Sequence, residues 1–308
     1  MKLSIVTTLY YSSSYINEFY ERISKEAKKI TDDYEIIFVD DGSPDDSLQK
    51  AIELYKKDDK VKVIELSRNF GHHKAMMTGL RFAKGDYVFL IDSDLEEEPE
   101  LLGKFWKEMQ KDENVDVVYG VQEKRKGNWF ERWSGEMFYK IYNKLNDIKI
   151  PANMITARLM KKKYVKELIK HKEREICFGC LLFNTGFNQK AIKVKKLSIS
   201  PTTYSLSKKI SLMFTSIISF SNKPLMIIFY MGLFILLTST LYIFKLIFNK
   251  IVYNIGIDGW TSVMVSIWFF GGLIIFFLGI IGIYLSKVFI ETKDRPYTII
   301  KHFYKKGK

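Results

Sequence analysis

Two long apolar stretches without a charged residue, both near the end of the chain, constrain the fold most strongly. They cover residues 225–244 and 261–286. An α-helix rises about 1.5 Å per residue, so each stretch is long enough to cross a hydrocarbon core of about 30 Å. A helix of this length buried inside a soluble protein would be unusual. The sequence therefore predicts an integral membrane protein with two transmembrane helices, at about residues 225–247 and 261–286.

The charges beside these stretches predict the orientation. The connector at residues 245–260 is nearly neutral, whereas lysines and arginines are concentrated before the first stretch and after the second. Because positively charged loops stay on the cytoplasmic side, we expect both termini and the whole globular part in the cytoplasm, with the protein in a bacterial inner membrane. The formal net charge of +13 then fits anionic membrane lipids, and nucleic acid is not expected as a partner.

The rest of the chain divides by its composition. Residues 1–203 are charged and globular in character, which predicts one cytoplasmic domain. Residues 204–223 place apolar side chains on one helical stripe and predict an amphipathic helix in the headgroup layer, although a helix packed on a protein core would show the same pattern. Residues 224–290 hold the two predicted spans, and residues 291–308 form a basic tail.

Small residues in the second apolar stretch indicate close helix packing. Gly271, Gly272, Gly279 and Gly282 would let another helix approach its backbone. We therefore expect a homo-oligomer that forms through the transmembrane helices.

Within residues 1–203, apolar strands alternate with amphipathic helices. Strands are predicted at Leu3–Thr8, Tyr34–Val39, Val61–Leu66 and Tyr87–Ile91, and helical spacing of apolar residues follows each. This order is typical of right-handed βαβ units and predicts an α/β fold with a doubly wound, mostly parallel sheet. No Gly-x-Gly-x-x-Gly sequence follows the first strand, which argues against a dinucleotide-binding domain.

Acidic residues follow the second and fourth predicted strands. Asp40 and Asp41 come after one strand, and Asp92 and Asp94 come after the other. Ligands bind at the carboxyl ends of the strands in open α/β sheets, and residues i and i+2 of an extended segment point to the same side. Carboxylate oxygens suit Mg²⁺ or Mn²⁺, so a metal that also holds substrate phosphates is one interpretation. A loop that merely carries two acids is the other.

The two cysteines do not indicate a metal site. Cys177 and Cys180 form one Cys-x-x-Cys pair, and neither a second pair nor a histidine stands at zinc-ligand spacing from it. We expect both to be small packed residues that stay reduced in the cytoplasm.

Several short motifs in a fixed order carry a family resemblance. In chain order they are Val39-Asp40-Asp41-Gly42-Ser43, Ser67-Arg68-Asn69-Phe70-Gly71, Asp92-Ser93-Asp94-Leu95 with Pro99-Glu100, Phe138-Tyr139, and Ser219-Phe220-Ser221-Asn222-Lys223-Pro224-Leu225. Together they resemble the family-2 glycosyltransferases with a GT-A fold. The resemblance is closer to the polyprenyl-phosphate glycosyltransferases, such as dolichol-phosphate mannose synthases and the bacterial glucosyltransferases of O-antigen modification. It covers nearly the whole chain.

The resemblance implies roles for the acidic residues. Asp40 would meet the nucleotide base, and Asp41 would help to shape that pocket. Asp92 would contact the donor and Asp94 would ligate the metal on the diphosphate, which makes these two the implied catalytic residues. Glu96 stands where the family often has glutamine, and it would be a second metal ligand.

The resemblance also implies binding residues in the neighbouring loops. The further residues implied in nucleotide-sugar binding are Thr8, Tyr10 and Arg68. Arg125, Arg132 and Ser134 would bind the acceptor phosphate, because a guanidinium fork matches phosphate oxygens.

The chain departs from the family pattern at three places. Residues 8–12 replace the usual Pro-x-Tyr-Asn-Glu, and Gln122 replaces an arginine. Thr156 stands where the family has an aspartate that is sometimes proposed as the catalytic base. A phosphate acceptor is already anionic near neutral pH, so we expect the metal and substrate positioning, not a strong base, to dominate catalysis.

The resemblance thus implies an inverting, metal-dependent glycosyltransferase. It would move a hexose from a nucleotide-diphosphate sugar, expected to be UDP-linked, to a membrane polyprenyl phosphate such as undecaprenyl phosphate, for cell-envelope glycan assembly. Two alternatives stay open. A processive polysaccharide synthase shares the fold, although its Gln-x-x-Arg-Trp pattern is absent. A catalytically inactive, membrane-anchored nucleotide-sugar sensor or scaffold would keep the motifs without turnover.

Overall fold

The chain divides into two compact units. The computed structural model describes residues 1–122, 137, 140, 143–144, 149–151, 153–174, 178–195, 223–253 and 259–306. The sheet unit comprises Met1–Asn143, Ile148–Lys209 and Arg295–Lys308, and the helical unit comprises Lys144–Asp147 and Ile210–Asp294. The amphipathic helix expected at residues 204–223 lies outside the described residues, apart from its last residue.

One mixed sheet forms the centre of the sheet unit. Its described strands are β1 (Leu3–Leu9), β2 (Tyr34–Asp40), β3 (Val61–Leu66), β4 (Tyr87–Leu90), β5 (Val117–Gln122), β6 (Met154–Lys161), β7 (Gln189–Val194) and β8 (Ile300–Tyr304). They lie side by side in the order β7-β5-β6-β4-β1-β2-β3-β8. The pairs β1–β2, β1–β4, β2–β3 and β5–β7 are parallel, whereas β4–β6, β5–β6 and β3–β8 are antiparallel. The predicted α/β fold is confirmed, with parallel strands at its centre.

Helices cover both faces of this sheet. The described helices are α1 (Ile16–Lys28), α2 (Ser47–Lys57), α3 (His72–Phe82), α4 (Leu101–Gln110), α5 (Lys162–Leu168) and α6 (Phe178–Asn184). The main apolar core lies between the sheet and the helices α1, α2 and α4, where Phe19, Phe89 and Phe105 are fully buried. The strands at the sheet centre are buried on both sides, which explains their almost continuous apolar sequences.

The helix α3 lies directly on β1 and β2, on the face opposite this core. A Cβ atom on Gly79 would stand 2.4 Å from Cγ1 of Val6 and 2.9 Å from Cγ2 of Val39. Only a residue without a side chain permits so close an approach of helix and sheet. This packing fixes the position of His72, the first residue of α3.

The strand that precedes the acidic pair is short and central. Leu90 of β4 lies beside Val6 of β1 in parallel pairing and opposite Arg158 of β6 in antiparallel pairing. Side chains alternate between the two faces of a sheet, so Arg158 and Thr156 lie on the face that α3 covers. Arg158 and Thr156, which the sequence analysis had assigned to no strand, therefore lie on the same face of the sheet as His72.

The structure contradicts one expectation about the cysteines. Cys180 is buried, as expected for a packed residue, with 2% of its surface exposed. It is disulfide-bonded, however, and no free cysteine occurs in the described part of the chain. The expectation of a reduced thiol is therefore wrong for Cys180.

The last strand of the sheet comes from the segment that follows the second apolar stretch. β8 pairs antiparallel with β3, and the backbone N–H of Ser67 donates to the carbonyl of Ile299 at 2.9 Å. Lys301 forms a 2.6 Å ion pair with Glu65, and Thr298 bonds Thr78 of α3 at 2.8 Å. Part of the segment expected as a basic tail is thus an edge strand of the sheet.

Two long apolar helices make up the described part of the helical unit. They are α7 (Lys223–Tyr253) and α8 (Trp260–Thr292), and the two stretches predicted from the sequence fall within them. Windows within α7 and α8 have mean hydropathies of 2.0 and 2.5, and none of the residues whose side chains the structure describes there is buried within the chain. By length and composition both helices could cross a membrane. A Cβ atom added at Gly271 would meet no atom of another described segment within 4 Å.

A buried carboxylate ties together the opposite edge of the sheet, at the amino ends of β1 and β2. Glu35 of β2 has 2% of its surface exposed. Its carboxylate accepts hydrogen bonds from Ser4 Oγ at 2.6 Å and from the backbone N–H of Lys84 at 2.8 Å, and it is ion-paired with Lys62. Burial alone would raise the pKa of Glu35, but the bonds from Lys62 and Ser4 outweigh it and lower the pKa.

This lowered pKa predicts a pH dependence of folding. Because the pKa of Glu35 is lower in the folded than in the unfolded protein, its ionised form stabilises the fold at neutral pH. That contribution disappears as the pH falls below the unfolded value of about 4.3. We expect Glu35→Gln to lower the free energy of unfolding at neutral pH by about 1–3 kcal/mol and to flatten its decline below that value. Unfolding of the full-length protein in detergent at a series of pH values measures both, and parallel profiles for the two proteins would contradict the assignment.

Candidate active site

The carboxyl ends of the central strands bring most of the predicted site residues together. Asp41 follows β2 and its backbone N–H donates to the carbonyl of Leu9, the last residue of β1, at 3.0 Å. Ser93, between the two predicted catalytic aspartates, donates from its hydroxyl to the carbonyl of Thr8 at 2.9 Å. The ends of β1, β2 and β4 are therefore joined by direct hydrogen bonds.

Asp92 lies next to a histidine that the sequence analysis did not single out. His72 Nε2 stands 3.2 Å from Oδ1 of Asp92, and His72 Nδ1 stands 3.0 Å from Oγ1 of Thr8. The His72 side chain is 44% exposed and that of Asp92 is 17% exposed, so both can be reached by a ligand. Partial burial alone would lower the pKa of His72, but the neighbouring Asp92 outweighs it and the pKa is raised.

Asp94 and Glu96 occupy a tight turn just after Asp92. The backbone N–H of Glu96 donates to Oδ1 of Asp94 at 3.0 Å, and Leu95 between them has a left-handed φ of 59°. No group of three or more histidine, cysteine, aspartate or glutamate residues at metal-binding distances occurs among the residues that the structure describes. Mg²⁺ commonly uses only one or two carboxylates and completes its shell with water and substrate phosphates. The two carboxylates therefore fit a hard divalent cation as a donor set.

The two aspartates after β2 differ in what they contact, although each has 2% of its surface exposed. The carboxylate of Asp40 accepts the backbone N–H of Ser43 at 3.4 Å. The carboxylate of Asp41 accepts the N–H groups of Phe70 and Gly71, at 2.7 and 3.0 Å. Burial raises the pKa of both carboxyls. Asp41 thus acts on the loop between β3 and α3 and holds the residues just before His72.

The turn after β2 also packs against this loop. Gly42 has a φ of +65°, and a Cβ atom there would lie 2.6 Å from the backbone nitrogen of Asn69. A side chain would therefore both strain the turn and clash with the loop. The Val39–Ser43 and Ser67–Gly71 motifs, noted separately in the sequence, form one packed structure.

Two predicted donor-binding residues, Tyr10 after β1 and Arg68 after β3, lie in loops at the carboxyl ends of the strands. The guanidinium of Arg68 lies 4.1 Å from the ring centre of Phe70. Tyr10 is 49% exposed, and its ring meets that of Tyr11 edge-on at 4.9 Å between centroids. Tyr11 itself has a left-handed φ of 55°, an uncommon conformation for a tyrosine. Both predicted residues are placed where a ligand over the strand ends could contact them.

A cavity of about 360 Å³ opens beside His72 on the face that α3 covers. Its lining residues come from α3, from the turn after Asp94, from β5 and β6, and from the start of α6. They are His72, His73, Met76, Glu97, Gln122, Met154, Ile155, Thr156, Arg158, Phe178 and Gly179. Gln122 and Thr156, two of the departures from the family pattern, thus face the same space.

Buried charges form one side of this cavity. Glu97 has 1% of its surface exposed, and its carboxylate accepts the backbone N–H groups of Thr156 at 3.0 Å and Ala157 at 2.7 Å. Arg158, also 1% exposed, donates to the carbonyls of Thr156 and Ile155, each at 3.0 Å. Burial lowers the pKa of Arg158, but a guanidinium stays charged at any physiological pH. Glu97 therefore ties the turn that carries Asp94 to β6.

Three predicted acceptor-binding residues are not among the described residues. The structure also brings to the site His72 and Glu97, which the sequence analysis did not select. Arg125, Arg132 and Ser134 lie outside the described residues. The sequence offered one signal for His72, which directly follows the Ser67–Gly71 motif. It offered a weaker one for Glu97, which is one more acid in an acidic run.

Comparison with known proteins identifies the family. The sequence profile of Glycosyl transferase family 2 matches residues 4–169, which is more than half of the chain. The chain belongs to this family. The predicted family resemblance is therefore confirmed, and the protein is a glycosyltransferase.

Curated relatives match this glycosyltransferase along its whole length. A protein of Mycobacterium tuberculosis (strain CDC 1551 / Oshkosh) named as a glycosyltransferase is 49% identical over 304 residues, covering 99% of this chain and 89% of the relative. The Bactoprenol glucosyl transferase of Shigella phage SfV is 30% identical over 305 residues, covering 98% of this chain and 99% of the relative.

A solved structure supports the fold. The mannosyltransferase PcManGT from Pyrobaculum calidifontis, solved in complex with GDP-Man and Mn²⁺, aligns with a TM-score of 0.51 and 16% identity. The alignment covers 70% of this glycosyltransferase and 63% of that chain. At this identity the likeness concerns the fold alone, which is a GT-A-like mixed α/β sheet.

The contacts of Glu97 predict a specific effect of mutation. In Glu97→Gln, one oxygen can still accept a hydrogen bond, but the amide NH₂ faces a second backbone N–H that loses its partner. We expect the free energy of unfolding to fall by about 1.5–3 kcal/mol. Glu98→Gln, the same substitution one residue later at a partly exposed position, serves as the control and should leave stability unchanged within about 0.5 kcal/mol. Equal losses for the two variants in thermal unfolding would contradict this account of Glu97.

Proposed function

We propose that this glycosyltransferase transfers a sugar from a UDP-sugar to the phosphate of a membrane polyprenyl lipid, with inversion at the anomeric carbon. The observation that carries the proposal is the end-to-end match to the Bactoprenol glucosyl transferase of Shigella phage SfV. That match spans the sheet unit and also the two long apolar helices. The product would be a polyprenyl-phosphate sugar for cell-envelope glycan assembly.

The donor would lie over the carboxyl ends of β1, β2 and β4. The buried Asp40 would meet the nucleotide base, and the exposed Tyr10 and Arg68 would contact the donor from neighbouring loops. Thr8 and Asp92, which share His72 as a neighbour, would contact the donor nearer to its sugar. Placement at a topological switch point of an open sheet supports this arrangement.

Asp94 and Glu96 would hold Mg²⁺ or Mn²⁺ on the donor diphosphate. The complex of PcManGT with GDP-Man and Mn²⁺ supports a divalent cation in a protein of the same fold. A bound cation would offset the negative charge that develops on the leaving nucleotide diphosphate. The protein's own contribution is the tight turn from Asp94 to Glu97, which Glu97 fixes to β6 through two backbone hydrogen bonds.

The chemistry of the cavity favours an acceptor that is already ionised. Thr156 lines the cavity where the family has an aspartate, and a hydroxyl is not a general base near neutral pH. The carboxylate of Glu97 already accepts two backbone N–H groups. A lipid phosphate needs no deprotonation to attack the anomeric carbon, so positioning suffices. Arg125, Arg132 and Ser134 remain the proposed residues for holding that phosphate.

The connectivity of the chain supports a membrane-bound enzyme with its catalytic part in the cytoplasm. The chain leaves the sheet unit after Lys209 and returns to it at Arg295, so two membrane crossings between these points would begin and end on the same side. The lysines and arginines outside α7 and α8 favour the cytoplasmic side and contact with anionic lipids. The glycines of α8 that face open space support an oligomer formed through these helices.

A transfer assay tests this proposal. Purified full-length protein in detergent would be given labelled UDP-, GDP- and dTDP-sugars with undecaprenyl phosphate, in Mn²⁺ or Mg²⁺ and in EDTA. We expect an organic-soluble labelled product from a UDP-sugar that disappears with EDTA, because the diphosphate then has no counter-charge. Product from another nucleotide would correct the donor only. Nucleotide binding without product from any donor would contradict the proposed reaction and favour the sensor alternative.

The role of Asp94 predicts a second result. Removing a ligand of the cation should slow transfer by about 100-fold or more, since charge stabilisation of this kind is worth several kcal/mol. We therefore expect Asp94→Ala to fold normally and to lose transfer to this extent. Asp32→Ala, at an exposed site, is the matched control and should retain the rate of the unmodified protein. Similar rates for both variants would argue against Asp94 as a metal ligand.

A further inference from the structure

We infer that His72 is a positioning residue, which holds Asp92 in the orientation that binds the donor. The inference rests on the proposed function for the role of Asp92. It adds a residue that neither the motifs nor the comparisons assign, and it gives a purpose to the link between α3 and the strand ends.

The geometry of the imidazole carries the inference. Its two nitrogens contact two different strand ends, with Nδ1 3.0 Å from Oγ1 of Thr8 and Nε2 3.2 Å from Oδ1 of Asp92. In the neutral ring with the proton on Nε2, that nitrogen has a proton to offer the Asp92 carboxylate while Nδ1 can accept from the hydroxyl of Thr8. In the protonated ring, both nitrogens carry a proton, and Nε2 faces Asp92 as an ion pair. The contact between His72 and Asp92 is therefore attractive in both of these protonation states.

Asp92 lies beyond the sheet ladder, so the ladder itself does not orient its side chain. β4 ends at Leu90, and the next backbone bond on this side, from the N–H of Ile91 to the carbonyl of Val6, precedes Asp92 by one residue. Past that point the backbone enters the turn that carries Asp94. A carboxylate on such a segment must be ordered when the donor binds, unless another side chain has ordered it already.

The backbone of His72 is itself fixed from two directions. Asp41 accepts the N–H groups of the two preceding residues, Phe70 and Gly71. On the other side, Gly79 lets α3 rest on β1 and β2 without a gap. These contacts define a chain of support from Asp41 through the loop to His72 and then to Asp92. Asp41 and Asp92, which come from separate motifs, are thus linked by a continuous series of contacts.

Two conservative variants separate the two bonds of the ring. The amide nitrogen of His72→Gln reaches about as far as Nε2 and can still donate to Asp92, whereas that of His72→Asn replaces Nδ1 and leaves Asp92 without this partner. We expect His72→Asn to raise the donor KM between about tenfold and a hundredfold, the range spanned by one lost hydrogen bond to a charged group. We expect His72→Gln to stay within about threefold of the unmodified protein. The value of kcat at saturating donor and the acceptor KM should change by less than about twofold in both.

The control is His302→Asn, the same substitution at an exposed histidine of β8. It should leave all three kinetic constants unchanged. Equal effects of His72→Asn and His72→Gln on the donor KM, or a loss confined to kcat, would overturn the inference. Thermal unfolding of each variant separates these effects from misfolding, which is not expected at a side chain that is 44% exposed.

A double-mutant cycle tests whether His72 acts through Asp92. If it does, His72→Asn should add less than about twofold to the donor KM or nucleotide Kd once Asp92→Ala has removed the carboxylate. Multiplicative losses would mean that His72 acts independently of Asp92, and the inference would be wrong. The cycle can be measured with UDP and Mn²⁺ by calorimetry as well as with turnover.

A measurement without ligand distinguishes failure of this inference from failure of the proposed function. Nitrogen NMR of the full-length protein at alkaline pH reports which nitrogen of the neutral ring carries the proton, and His72→Gln identifies the His72 signal. We expect the proton on Nε2, and a changed tautomer signature in Asp92→Ala. An unchanged signature would overturn the bridge even in an active enzyme. If the tautomer signature changes as expected in a protein that transfers no sugar, only the proposed reaction would be contradicted.

Discussion

Buried carboxylate side chains near the C-terminal ends of the parallel strands determine the geometry of the site. A carboxylate out of water is costly unless its oxygens accept hydrogen bonds, so each one orders the groups around it. Asp41 takes two N–H groups from the loop before α3, and Glu97 takes two from β6. Segments that are far apart in the sequence are joined by these bonds. The positions of His72, Asp92 and the cavity all depend on them.

The central part of the fold could be predicted from the sequence because its signals are local. β1 to β4 are buried on both faces, so their apolar sequences stand out from the helices between them. β6 escaped notice because a buried arginine interrupts it, and that arginine is explained only by the cavity and by the carbonyls that it contacts. Most residues of β7 are at least partly exposed and two of them are lysines, so its sequence contains no apolar run. β8 pairs with a strand more than 200 residues earlier in the chain, and nothing in its own residues reveals that partner.

The site shows the same division between local and distant information. The spacing of Asp92 and Asp94 after an apolar strand predicted a site at the carboxyl ends of the strands, and the structure places Asp40 and Asp41 at the same ends. The structure then gave Asp41 a different kind of contact from that of Asp40, although the two are adjacent in the sequence. It also added His72, Glu97 and Arg158, whose contacts join separate motifs. A sequence shows which residue types are present, whereas their roles here follow from which loops the fold brings together.

The position of β8 in the chain makes completion of the sheet depend on the two long apolar helices that precede it. The ribosome makes this strand only after both long apolar helices have been synthesised, so during translation β3 is an open edge with unpaired backbone groups. The sheet is complete only when the chain has passed through α7 and α8 and returned to it. A chain cut off between these helices would therefore carry every aspartate of the site on an unfinished sheet that invites association with other chains. A complete sheet in this protein therefore requires that both long apolar helices have been made.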